Sequence, residues 1–172
     1  MTRGVYIGRF QPYHDGHHNV VRTIAEEVDE LIVAVGSADR SHLTDDPFTA
    51  GERIMMITKS LVDLDLVTYA VPIEDIERNA VWVSHVQSMC PDFDIAYSNN
   101  PLVIQLFNEA GVKVRQSPMF DRDVLEGTEV RERMIHDDDW ETLVPNPVVE
   151  VIEEVGGVDR LQQVSRSDSN GS

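Results

Sequence analysis

The chain of 172 residues is poor in the residue types that make disulfides, cationic surfaces and membrane spans. Cys90 is the only cysteine, which excludes an internal disulfide and a cysteine-rich zinc site. Lys59 and Lys113 are the only lysines, and basic residues total 14 against 31 acidic ones. A net charge of −17 without a basic stripe excludes general nucleic-acid binding. Aromatic residues are 6% of the chain, and no apolar run approaches the ~20 residues that cross a bilayer. The N-terminus has no basic-then-apolar leader pattern. A soluble, cytoplasmic protein with no membrane partner is expected.

What is abundant is acid. So much like charge repels itself in dilute buffer, but at molar salt the Debye length is only ~3 Å and the repulsion is screened. An acidic, lysine-poor chain therefore points to a salty cytoplasm, with an ordinary acidic protein as the alternative. Hydrophobic residues make up 41% of the chain, enough for one domain with a core. Any anionic ligand must be held by a local basic site against this global field.

Apolar runs and helical periodicity alternate. Val5–Ile7, Leu31–Val35, Leu66–Val71, Phe93–Tyr97 and Val112–Val114 read as strands. Between them lie helical patterns at Gly16–Val28, after the Thr49–Glu52 capping box, at Asn79–Met89, and from Leu102 to a Gly111 C-cap. A further helix opens near Gly127-Thr128, with Thr128 as a cap, and one or two more fill Trp140–Val155. The tail from Ser165 to Ser172 reads as disordered. The alternation predicts an α/β, Rossmann-like doubly wound parallel sheet in a single domain over 1–164, with appended C-terminal helices. Ligands then bind at the carboxyl ends of the strands.

At that end of the first strand stands GRFQPYHDGH, residues 8–17. Gly8 lets the backbone approach a ligand. Asp15 is placed to cap the helix that Gly16 begins. His14 and His17 share a face at a helix N-terminus, where free N–H groups favour anions. His18 points elsewhere, as a surface histidine. The pair reads as a phosphate site; a metal pair lacks further ligands, and two structural histidines fit poorly in a glycine-flanked loop.

GRFQPYHDGH resembles the (H/T)xGH signature of the nucleotidyltransferase superfamily, and EGTEVRER at 126–133 its later S/G-T-x-x-R element. With GSADRSH, DPFTAGER, DIERNAVWVSHV, YSNNPLV and GTEVRERM, the chain resembles archaeal nicotinamide-mononucleotide (NMN) adenylyltransferases from about Arg3 to Leu161. The resemblance implies that ATP and NMN give NAD and pyrophosphate with Mg²⁺, the ion being held mainly by the ATP phosphates. It implies His14, His17 and Arg131 as catalytic groups. It places ATP and its phosphates on Gly8, Arg9, Phe10, Gln11, Gly16, Asn100, Thr128 and Arg133. It places NMN on Gly36, Ser37, Ala38, Asp75, Asn79 and Trp82, the tryptophan stacking on nicotinamide. A core-packing role for Trp82 stays open, because it falls in an apolar helical pattern. A homo-oligomer, often a hexamer, is also implied.

The chain departs from the family in one place. A basic residue expected just before DPFTAGER is absent from Thr44-Asp45-Asp46-Pro47, so its role is vacant or passes to Arg40 or Arg53. Other readings are the same chemistry on another acceptor, such as flavin mononucleotide or phosphopantetheine, and a non-catalytic nucleotide-binding module.

Overall fold

The computed structural model describes residues 1–116 and 120–169. Five parallel strands, β1 (Arg3–Gly8), β2 (Glu30–Val35), β3 (Val67–Pro72), β4 (Ile95–Tyr97) and β5 (Lys113–Arg115), lie in the order β3-β2-β1-β4-β5. The chain therefore winds outward from β1 to β3, crosses back, and winds outward again from β4. The switch point lies between β1 and β4, where Val5 pairs with Ala96 and Tyr6 with Tyr97. A crevice opens beyond the strand ends at such a point.

Helices cover both faces. On one lie α1 (Asp15–Ala25), α2 (Ala50–Ser60), α5 (Phe120–Ile135), α6 (Asn146–Val155) and α7 (Gly157–Ser169). On the other lie α3 (Trp82–Met89) and α4 (Pro101–Glu109). The period-2 alternation of β2 divides its side chains between them. Leu31, Val33 and Val35 join the larger core, and Ile32 and Ala34 the smaller. Val148, Val151, Ile152 and Leu161 sit in the same core as Met56, Ile57 and Met134. Among the described residues no helix is long and apolar enough to cross a membrane.

Thr49 and Glu52 form the expected capping box of α2, each side chain meeting the other's backbone N–H. Three expectations need correction. Residues Asn79–Val81 form a 3-10 turn, and α3 proper starts at Trp82. Helix α5 begins at Phe120, so Thr128 is an interior residue rather than a cap. A helix tolerates an interior glycine such as Gly127 for ~1 kcal/mol, so a glycine was a poor marker of its start. Finally, α7 continues through Ser169, where a disordered tail was expected from Ser165. Val164 packs on the core and Asp168 accepts a hydrogen bond from Thr44, which holds this last turn. The remaining three tail residues lie outside the described ones.

Candidate active site

A cleft of about 440 Å³ occupies the switch point. Its floor is the residues that follow β1, its walls the loops after β2, β3 and β4 and one face of α5. Phe10 folds back under Gly8, where an added Cβ would stand 2.9 Å from its ring. A side chain at position 8 would drive this ring out of place.

One end of the cleft is made of donors. His14 is the N-cap of α1: its Nδ1 accepts the N–H groups of Gly16 and His17. Asp15, expected to cap, is the first helical residue, one position too late. The Nδ1 of His17 accepts the His14 N–H at 3.2 Å in return. Each ring therefore carries its proton on Nε2. Glu126 Oε2 comes within 3.4 Å of His14 Nδ1, but a nitrogen already accepting N–H bonds has no proton to share with it. The rings stack with centroids 3.7 Å apart. Burial, and then His14, hold the His17 pKa well below its ordinary value. His17 is a neutral donor at neutral pH, while its neighbour His18 is tied at 2.9 Å to the Tyr13 hydroxyl.

Two guanidiniums complete this end. Arg131 donates to Gln11 O at 2.9 Å, tying α5 to the β1 loop, and approaches Thr128 Oγ1 at 3.4 Å. Burial lowers its pKa, with nearby Arg9 adding to the effect. Arg131 stays cationic, and a second guanidinium nearby makes a site that favours an anion. Arg9 donates to the buried carboxylate of Asp46 at 3.0 Å, and Arg40 reaches the other oxygen of Asp46 at 3.3 Å. The Gln11 amide is used entirely within the fold, bonding Phe48 O and N at 3.0 and 2.9 Å. Gln11 offers its backbone to the cleft wall, not its amide.

The other end is aromatic and less tightly bonded. Trp82 lines the cleft and meets Phe107 edge-on at 5.4 Å, so it is both a core neighbour and a cleft wall. Asp75 accepts the Ser37 hydroxyl at 2.9 Å. Asn79 and Asn100 also line the cleft, and the Asn100 Oδ1 caps α4. Gly36 and Ser37 close the β2 side.

The cytidylyltransferase-like family pattern matches residues 5–133. The chain is 71% identical to the nicotinamide-nucleotide adenylyltransferase of Haloarcula marismortui, over 97% of this chain and 89% of that protein. It is 68% identical to the protein of the same name from Halobacterium salinarum (R1), over 99% of this chain and 97% of that one. The chain belongs to the nicotinamide-nucleotide adenylyltransferase family. Its fold resembles that of a bifunctional NMN adenylyltransferase/ADP ribose pyrophosphatase from Francisella tularensis, solved with AMP and a Mn ion, at a TM-score of 0.76 and 17% identity. That match covers 98% of this chain and 53% of the other, so the chain spans about half the length of that structure.

The cleft brings together fourteen of the residues singled out from sequence, from Gly8 and His14 on one side to Trp82 and Arg131 on the other. Gly16, Ala38 and Arg133 do not line it. Gly16 is buried under His14, which its N–H holds. Ala38 turns its N–H to Ile73 O at 3.0 Å, behind the wall. Arg133 sits about 200° around the helix from Arg131 and bonds Glu129 and Asp139 O on the outer face. Neither candidate for the missing basic residue is in the cleft wall: Arg40 is committed to Asp46, and Arg53 is fully buried. Sequence reasoning missed Asp46, noting its segment only for the basic residue it lacks.

Proposed function

We propose that the chain joins ATP and NMN to form NAD and pyrophosphate by direct in-line displacement. The observation that carries this reading is one cleft with a fixed cationic, donor-rich end and an aromatic end facing it. The 5′-phosphate of NMN is already an anion, so no base is needed to create the nucleophile. One of its oxygens bonds to the α-phosphorus of ATP as the bond from that phosphorus to the β-bridging oxygen breaks. The electron pair leaves with pyrophosphate, and no protein nucleophile is consumed.

The protein's work is placement and charge stabilisation. The Nε2–H groups of His14 and His17 are the ring donors that would meet the phosphates. Arg9 and Arg131 supply charge, and the positive end of the α1 dipole points the same way. Thr128, on the same turn as Arg131, closes the triphosphate site from α5. Trp82 takes the nicotinamide ring on its open face, with Asp75 and Asn79 near the carboxamide.

A divalent ion, Mg²⁺ in this reading, travels on the triphosphate and neutralises part of its charge. We read 1–164 as one working unit, because α6 and α7 share the core of α2 and α5. A homo-oligomer belongs to the same proposal, supported by Val67 and Tyr69 exposed on the edge strand β3.

The test is pyrophosphate release with ATP, Mg²⁺ and a panel of acceptors in molar KCl. NMN should give NAD and equimolar pyrophosphate. Preference for flavin mononucleotide or phosphopantetheine, or binding without pyrophosphate release, would overturn the proposal.

A further inference from the structure

Arg53 is the largest fully buried side chain of the described residues, and it makes no direct bond to a carboxylate. Its five N–H bonds all go to backbone carbonyls. Nε donates to Thr49 O at 3.2 Å. One terminal nitrogen donates to Arg9 O and Gly36 O at 2.9 and 2.8 Å. The other donates to Ser37 O and Arg40 O at 3.1 and 3.3 Å. A guanidinium has five N–H donors, so this one is saturated. Burial lowers its pKa to about 10, which still leaves it cationic at neutral pH.

The carbonyls come from two loops, the one after β1 and the one after β2, which the Gln11–Phe48 bonds and the Arg9–Asp46 pair also join farther from the strand ends. Each loop holds a non-glycine residue in the left-handed region, Phe10 at φ +56° and Ser37 at φ +47°. Such residues persist only where their surroundings over-determine them. Arg53 bonds the carbonyl that precedes each of them. Peptides are planar and trans, so an N–H points opposite to the C=O of its own unit. With Arg9 O and Gly36 O turned inward to Arg53, the N–H groups of Phe10 and Ser37 turn outward, on residues that line the cleft.

We infer that Arg53 is a positioning residue: it locks the β1 and β2 loops to each other and sets the direction of their peptide N–H groups in the cleft. It touches no substrate. It acts on both substrates at once, because one guanidinium holds the loop carrying Arg9 and the loop carrying Ser37. Lysine keeps the charge but offers three donors on one nitrogen and cannot span five carbonyls.

This inference rests on the adenylyl-transfer reading, and wild-type NAD synthesis checks that reading separately. Arg53→Lys in molar KCl should fold, yet its kcat/KM should fall roughly 10- to 100-fold, the loss expected when reacting groups are misplaced by about an ångström. KM should rise for ATP and NMN together. A role in packing alone would lower the melting temperature and leave the kinetics of the folded enzyme unchanged. That result, alongside an active wild type, overturns the inference. If Arg53→Lys does not fold, hydrogen exchange of the wild type decides. ATP alone or NMN alone should each slow exchange in both 8–12 and 36–40. Protection confined to one segment per ligand would show that the loops are not joined through Arg53.

Discussion

The two ends of the cleft solve recognition differently. At the phosphate end each group is held by the protein itself. His14 and His17 cap each other's backbone, Arg131 is fixed on Gln11 O, and Arg9 on Asp46. At the acceptor end Trp82 rests one edge on Phe107, and Leu102 on the same wall is 49% exposed. Charge that builds during reaction is best met by donors already in place, since reorganising them would raise the barrier. A flat ring needs only a face to lie on. In the proposed mechanism, rigidity is concentrated where the phosphorus chemistry would take place.

Substitutions can break this contrast, and the phosphate end should respond most. His17→Ala or Arg131→Ala should keep the fold and lower kcat by ~10²–10³-fold, as loss of one fixed donor does. Steady-state kinetics with circular dichroism checks this; normal turnover by a folded His17→Ala enzyme would sink the role given to that ring. At the acceptor end Trp82→Ala should act mainly on NMN. Loss of one base–aromatic stack, worth ~1–3 kcal/mol, should raise its KM about 5- to 150-fold and leave the KM for ATP nearly unchanged. A matching rise in the KM for ATP would mean that Trp82 supports the whole cleft through Phe107.

Smaller effects concern the frame. Melting temperature and activity should both rise from dilute buffer to molar KCl, as screening relieves a charge of −17. Equal melting in low and high salt would refute adaptation to salt. Acid should then act in two stages. The His17 pKa is depressed in the folded state, so the stability it confers is complete above the ordinary value of 6.5 and declines as pH falls below it. His17→Gln should flatten that first decline. Burial alone would raise the pKa of Glu52, but its bonds from Arg160 and from Thr49 N outweigh this and lower it. Its contribution is present above the ordinary 4.5 and is lost below. Arg160→Ala should lower the melting temperature by a few degrees at neutral pH, on the order of 1–2 kcal/mol, and weaken the second decline. Thermal melts across pH resolve both stages.

Local patterns made much of this legible. The strand–loop–helix run at 8–17 is contiguous, so its chemistry could be read in place, and the Thr49/Glu52 box announced α2. Residues with distant partners were opaque. Gln11 and Phe48 are 37 positions apart, and four of the five carbonyls bound by Arg53 are 13 to 44 positions away. Nothing local separates Asp46 or Arg53 from the solvated charges around them, although both are buried. Arg133 falls outside the cleft because two steps along a helix nearly reverse the direction of a side chain. The start of α5 was misplaced because Gly127 looked like a boundary.

The ion pair of Arg160 with Glu52 has a companion bond, from Arg160 to Pro47 O at 3.1 Å. It joins the last helix to the segment that carries Asp46 and Arg53. Synthesis runs from the N-terminus, so β1, β2 and the histidines leave the ribosome long before this clasp exists. The nascent chain can assemble its sheet early, but the segment behind its phosphate loops is fastened only when residue 160 emerges. Completion of the His14/His17 end of the cleft is thereby tied to completion of the chain, and a prematurely terminated product would lack the clasp.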